Sequence, residues 1–315
     1  MALQYGEFAP EVIMQPPFEN PEIIDDALRT RLNREGEAAI CAEFSRIAAY
    51  PKMMRVSVEK IFLSKQKENV PLRIYHSARP AKAVLLFCHG GSFCFNSLEV
   101  YDYILRYLAA FHDLICVSVG YRLTPEHPFP QGLEDCYNAL NWAAKALAEP
   151  EKLPLCVAGD SSGGNFAAAL SLMTVRENGP KIKAQALFYP VLDLADTKEG
   201  SFERYSTGYF LEADALRYTY GLYCDGADAK DPYLSPLYTK DFSIFPPTVI
   251  VAAECDILVD DGLEYAQKLK CAGVEMEYHL YKGMPHAFLV HTYHQTFEAL
   301  DAVGRFCGKF CGSKS

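Results

Sequence analysis

The chain carries no excess of basic charge, no long apolar run, no internal repeat and no low-complexity tract. Each absence removes a class of protein. Lys and Arg number 30 against 40 Asp and Glu, leaving a formal net charge of -10. Nucleic acid and anionic membrane surfaces are therefore poor partners. No stretch approaches the roughly 18 consecutive apolar residues of a membrane-spanning helix. The opening residues, Met1 to Phe8, have neither the basic region nor the apolar region of a secretory signal, so none is expected. Cysteine is present 11 times, an odd number. Cys88, Cys116, Cys156 and Cys255 lie in strand-like apolar runs, a pattern of reduced, buried thiols that points to a cytoplasmic protein. Cys307 and Cys311 stand at helical spacing but have no further ligands near them in sequence, so no metal is expected, and no cofactor.

What is present is enough for a large core. Half of the 315 residues are apolar, a length compatible with two domains or with one large α/β domain carrying a cap. Residues 1–50 read as two helices. The first is capped by Asn20 with Pro21 at its first position, and the second runs from about Glu35 to Tyr50. Met54–Leu63 and Leu72–Tyr75 read as an antiparallel pair. Apolar strands follow at Val84–Cys88, Leu114–Val119, Leu155–Ala158, Ala184–Tyr189, Thr248–Ala253 and Val274–Tyr281, with helical segments at 100–112, 133–148, 164–178 and 260–272. That alternation predicts a mostly parallel sheet covered on both faces.

One interval breaks the rhythm. Nearly sixty residues separate Tyr189 from Thr248, where a crossover needs about a dozen. The surplus is rich in Tyr and Phe and would sit at the carboxyl side of the sheet, where ligand crevices form. It is expected to cover a substrate. The implied organisation is residues 1–50 as helices contributing to a cap and 51–315 as the catalytic domain, with a cap insertion at about 195–245.

The chemistry centres on Gly159-Asp160-Ser161-Ser162-Gly163. Alone, a Gly-x-Ser-x-Gly pentapeptide is as readily a surface turn. Here a buried strand precedes it and a small-residue helix follows, the context of a nucleophile elbow. Glycines at 159 and 163 allow strand and helix to pinch together and hold the Ser161 hydroxyl out. A serine hydroxyl needs a base, and His286 stands in a turn just after the last strand. His279 lies within that strand, His291 and His294 beyond it face solvent, and His76 and His112 have no motif around them. The imidazole needs a carboxylate. Asp256, at the end of the Thr248–Ala253 run, is favoured, with Glu254 the next alternative. Asp260 and Asp261 precede a helix and are simpler to read as caps. Phe87-Cys-His89-Gly90-Gly91-Ser92-Phe93 directly follows a strand, and its bare glycines let backbone N–H groups approach a substrate oxygen together with that of Ser162. His89 is read as pinning this loop.

These motifs resemble the hormone-sensitive-lipase family of α/β-hydrolases, small esterases with an HGGG loop and a GDSAG elbow. His89-Gly-Gly-Ser92, Gly159–Gly163, Tyr121-Arg-Leu-Thr-Pro-Glu-His-Pro-Phe-Pro130, Asp231-Pro-Tyr-Leu-Ser-Pro236 and Phe245-Pro-Pro247 carry the likeness across about residues 70 to 290. The resemblance implies an eight-stranded α/β-hydrolase fold with a helical cap. It also implies a Ser161, Asp256, His286 triad and oxyanion donors at Gly90, Gly91 and Ser162. Ser92 departs from the family's third glycine, which bears on substrate size. With Phe93, Tyr209 and Phe210 it is expected to bound a short acyl pocket. The implied function is a serine carboxylesterase acting on small-molecule acetyl to butyryl esters. An amidase or peptidase using the same triad, and a non-catalytic small-molecule receptor on this fold, are the alternatives, and the oligomeric state is left open.

Overall fold

The computed structural model describes residue 24 and residues 26–44, 55–63, 68–195 and 199–310. The strands are β1 (Arg55–Leu63), β2 (Glu68–His76), β3 (Ala83–Cys88), β4 (Leu114–Val119), β5 (Leu155–Asp160), β6 (Ile182–Phe188), β7 (Thr248–Cys255) and β8 (Met276–Pro285). The helices are α1 (Asp26–Phe44), α2 (Asp102–His112), α3 (Gln131–Ala143), α4 (Glu149–Glu151), α5 (Ser162–Arg176), α6 (Ser201–Arg204), α7 (Ala213–Cys224), α8 (Val259–Cys271) and α9 (His294–Lys309). The strands form one sheet in the order β1-β2-β4-β3-β5-β6-β7-β8. β1 and β2 pair antiparallel, β2 meets β4 antiparallel, and β4 through β8 are parallel. This is the α/β-hydrolase architecture implied by the motifs. No helix among the described residues is long and apolar enough to cross a membrane.

The pleat explains why β3 is apolar throughout, as β5 is from Leu155 to Ala158. Val84, Leu86 and Cys88 enter one core cluster with α3 and α5, while Ala83, Leu85 and Phe87 enter the other with α2 and α9. A strand buried on both faces has no polar side to show. β8 extends beyond the expected Val274–Tyr281. Lys282-Gly283 reads as a stop, but Gly283 takes a left-handed φ of 68° and the pairing register shifts, so Pro285 still pairs with Cys255. That irregularity delivers His286 to the sheet's carboxyl edge.

The N-terminal reading needs correcting. A single helix, α1, runs without interruption through Gly36 and through the expected start of a second helix at Glu35. Glycine in a helix interior costs only about 1 kcal/mol, and α1 is anchored along its length. Arg29 donates to Cys94 O (2.8 Å) and pairs with Glu126 (2.6 Å), Asn33 Oδ1 accepts from Asn96 N (2.9 Å), Ser97 Oγ donates to Glu37, and Glu43 accepts from Thr292 N (2.6 Å) and Oγ1 (2.7 Å). The Asn20 cap, Pro21, and the expected continuation to Tyr50 lie outside the described residues.

The long interval contains α6 and α7 and no strand among its described residues. One side of α7 buries Leu216, Tyr220 and Tyr223 in the larger core cluster. Tyr218 and Leu222 pack with Ile24, Leu32, Cys94 and Phe95. Insertion, N-terminal segment and the loop after β3 thus meet in one small apolar cluster.

Candidate active site

β5 is buried along its whole length and ends at Asp160, and α5 begins at Ser162. Ser161 between them has φ 54° and ψ -121°, a conformation costing on the order of 1–3 kcal/mol for a residue with a side chain. Its surroundings hold it there. Ser161 N donates to Phe188 O (2.9 Å), and Ser161 O accepts from Val191 N (3.1 Å). The two glycines are required by contact: a Cβ on Gly159 would sit 2.1 Å from Gly163 O, and one on Gly163 would sit 2.0 Å from Cys88 O.

The structure brings three of the expected residues together. His286 Nε2 lies 2.9 Å from Ser161 Oγ, and His286 Nδ1 lies 2.8 Å from Asp256 Oδ2. Asp256 is fully buried, and its other oxygen accepts from Leu258 N (2.9 Å). With Nδ1–H donated to the carboxylate, Nε2 is left as acceptor for the serine hydroxyl, the tautomer a general base needs. The rival carboxylates are engaged elsewhere. Glu254 accepts from Gly283 N (2.9 Å), bracing the irregular end of β8. Asp260 and Asp261 lie in the first turn of α8 but do not cap it. Asp260 accepts from Ser201 N (2.7 Å), tying the insertion to the body, and Asp261 accepts from Leu192 N and Asp193 N (both 3.2 Å) in the loop that leads into it. Of the other histidines, His294 is exposed, whereas His291 is half-buried with Nδ1 3.3 Å from Glu43.

The loop after β3 corrects one assignment. Gly90 N already donates to Asp160 Oδ1 (2.7 Å) and lies 3.2 Å from Tyr101 OH, so it is not available to a substrate oxygen. The N–H groups of Gly91, Ser92 and Ser162 donate to nothing among the described residues. An oxyanion site in this loop would therefore draw on Gly91, Ser92 and Ser162, one residue along from the expected set. His89 pins the loop as expected from its position. Its Nδ1–H donates to Gly90 O (2.8 Å), and its ring stacks on Tyr121 (centroids 4.3 Å, 19°). Burial lowers the imidazole to about 4, so it stays neutral at pH 7.

The sequence model of the α/β hydrolase fold matches residues 85–290, about two thirds of the chain, from within β3 to just past the histidine loop. The chain belongs to the α/β-hydrolases, in their hormone-sensitive-lipase-like carboxylesterase family. It is 38% identical over 226 residues to an arylesterase of Saccharolobus solfataricus, covering 70% of this chain and 73% of that protein. Identity to an ethyl acetate hydrolase of Pseudomonas putida is 36% over 231 residues, 70% of this chain and 71% of the other. The solved esterase of Pyrobaculum calidifontis superposes with a TM-score of 0.83 at 29% identity, covering 95% of this chain and 97% of that one.

Several residues of this hydrolase's site escaped the sequence reading. The elbow motif includes Asp160 but gives it no role. It is buried, and besides Gly90 N it accepts from Tyr101 OH (3.0 Å), which in turn receives Asn96 Nδ2 (3.3 Å). Tyr189, at φ 34°, places its ring 4.8 Å from that of His286. No local motif marks either tyrosine, because the contacts span 59 and 97 residues of chain. The Tyr121–Pro130 segment acts from behind, with Arg122 gripping the buried Asp135 through Nε (2.8 Å) and NH2 (2.7 Å).

Asp160 gives a pH prediction. Burial pushes its carboxyl up to about 7, against the hydrogen bonds from Tyr101 and Gly90, which pull it down. An acid raised above its unfolded value stabilises the fold fully below about pH 4, and that contribution is lost as pH climbs through about 7. Asp160→Asn has the same shape and no titration. Its melting temperature relative to wild type is expected to rise between pH 5 and pH 8. A constant difference across that range would show that the carboxyl does not titrate there.

The residues expected around the substrate divide. Ser92, Tyr209 and Phe210 are half-buried, Tyr209 lying edge-on to Tyr205 (4.7 Å, 70°). Phe93 is only 1% exposed, stacks on Tyr223 and meets Phe166 edge-on. The left-handed turn at Phe93 (φ 65°) carries its ring into the aromatic core, so it cannot line an open pocket.

Proposed function

We propose that this carboxylic ester hydrolase cleaves short-acyl esters, acetyl to butyryl, through an acyl-enzyme on Ser161. The continuous contact from Asp256 through His286 to Ser161 Oγ carries the reading. His286 Nε2 takes the hydroxyl proton as Oγ attacks the ester carbonyl, and Asp256 stabilises the imidazolium that forms. The negative charge developing on the carbonyl oxygen is received by the N–H groups of Gly91, Ser92 and Ser162, which have no other acceptor among the described residues. The alcohol leaves with the proton from His286. Water, deprotonated by the same nitrogen, then attacks the acyl carbonyl and frees Ser161.

Short acyl preference is supported by the aromatic insertion and by the side chain at position 92. Each methylene that fits gains about 0.8 kcal/mol, whereas one that must displace packed side chains costs roughly 1–3 kcal/mol. In a series of nitrophenyl esters, kcat/KM is expected to peak between acetyl and butyryl and to fall steeply by octanoyl. A maximum at octanoyl or longer would overturn the short-acyl reading and leave ester hydrolysis standing. An ester and an anilide of the same acid, run side by side, separate esterase from amidase, and the ester is expected to be the faster.

A further inference from the structure

We propose that Tyr223, on the insertion helix α7, is a positioning residue that clamps Phe93 and thereby holds the Gly91 and Ser92 N–H groups in place for the reaction. The inference rests on the reading of those two groups as oxyanion donors. Gly91, Ser92 and Phe93 all have positive φ, at 125°, 51° and 65°. Left-handed residues normally occur singly and as glycine; here two residues with side chains adopt the conformation in succession. Cys94 N and Phe95 N close the turn by donating to Gly91 O (3.0 and 2.8 Å), and Thr124 N donates to Phe93 O (3.0 Å). Within the described residues nothing accepts from Ser92 N, so its direction depends on what anchors Phe93.

That anchor is Tyr223. The two rings lie face to face, centroids 3.8 Å apart and 4° from parallel, and both are 1% exposed. Phe166, on the helix that starts beside Ser161, meets both edge-on (5.5 and 5.9 Å), and Phe129 closes the cluster against Tyr223 (5.9 Å). Tyr223 itself is fixed by its carbonyl, which accepts from Phe129 N (2.9 Å). Its hydroxyl is buried and finds no partner among the described residues. The ring is therefore the working part, and phenylalanine should replace it. Through this stack the insertion fixes the oxyanion loop without touching the substrate.

The test is a cycle of Tyr223→Leu and Ser92→Gly, with Tyr223→Phe as the conservative variant. Nitrophenyl acetate kinetics are normalised to active sites labelled to completion by a fluorophosphonate, with melting curves in parallel. Displacing a reacting geometry by about 1 Å costs roughly 100-fold. Tyr223→Leu is expected to lower kcat by about 30- to 100-fold with KM within about 3-fold, and Tyr223→Phe to stay within about 3-fold of wild type. Glycine at 92 adopts the left-handed bend without strain, so in that background the same Tyr223→Leu change is expected to cost under about 10-fold. Should the leucine variant not fold, Tyr223→Met takes its place, since a flexible thioether fills the gap without stacking. Normal kcat in the leucine or methionine variant, a loss confined to KM, or an equal loss in both backgrounds would overturn the proposal. A wild-type protein that hydrolyses no ester and takes no label at Ser161 would instead overturn the serine-hydrolase reading beneath it.

Discussion

Ser161→Ala is expected to reduce ester turnover by roughly a million-fold, the loss seen when the nucleophile of a serine triad is removed. What remains should be the weak catalysis of a donor loop acting on bound ester. The fold should survive. The Ser161 hydroxyl reaches His286 and no core residue, and the backbone that holds the elbow is tied by Phe188 and Val191, not by the side chain. Ser162→Ala is the matched control. Only its N–H is invoked, and the hydroxyl, buried beside the Tyr121 phenol, has no assigned role, so its loss is expected to be mild. Protein verified by mass spectrometry to be free of wild type, assayed on nitrophenyl acetate, decides the matter. More than a few per cent of wild-type activity in Ser161→Ala would reassign the nucleophile. A larger effect at Ser162 than at Ser161 would shift the register of the elbow by one residue.

The parts of this molecule that were legible in its sequence are those written over short distances. The elbow is one. Gly159 and Gly163 announce a close approach, and the structure shows each facing a carbonyl oxygen about 2 Å from where a Cβ would stand. The buried strands are another, because a strand covered on both faces reads as a nearly continuous apolar run. The order of Ser161, Asp256 and His286 along a sheet of this kind could also be read, and the structure places the three in hydrogen-bonding contact. What could not be read depends on distant chain. Gly90 gives way to Ser92 in the proposed donor set because a carboxylate 70 residues away takes the Gly90 N–H. Phe93 leaves the substrate wall because Tyr223, 130 residues on, supplies a ring for it to stack against. α1 continues through Gly36 because the loop at 94–97 and Thr292 hold it at both ends. Local propensity loses to tertiary contact in each case.

The same distinction bears on the proposed acid, Asp256, where four carboxylates lie within eight residues of sequence. Asp256→Asn is expected to lower kcat by about four orders of magnitude, a change of roughly 5–6 kcal/mol in the activation barrier. The reason is the tautomer. Asn presents an amide that donates where Asp256 Oδ2 accepts, so His286 Nδ1 can no longer carry the proton, and Nε2 then points a proton at Ser161 Oγ in place of a lone pair. Asp260→Asn and Asp261→Asn act on other contacts. Each alters a hydrogen bond between α8 and a loop, from Ser201 N in one case and from Leu192 N and Asp193 N in the other, where burial already pushes the Asp261 carboxyl up. Asparagine keeps an accepting oxygen at each position, so these two variants should lose about 1–3 kcal/mol of stability at most and less than about tenfold in kcat. Measuring kcat and melting temperature for all three variants separates the two roles. Asp256→Asn should lose activity while melting near wild type, and the α8 variants should do the reverse. Comparable losses of kcat across the three would mean that the acid is shared or misassigned, and Glu254, which now braces Gly283, would become the next residue to change.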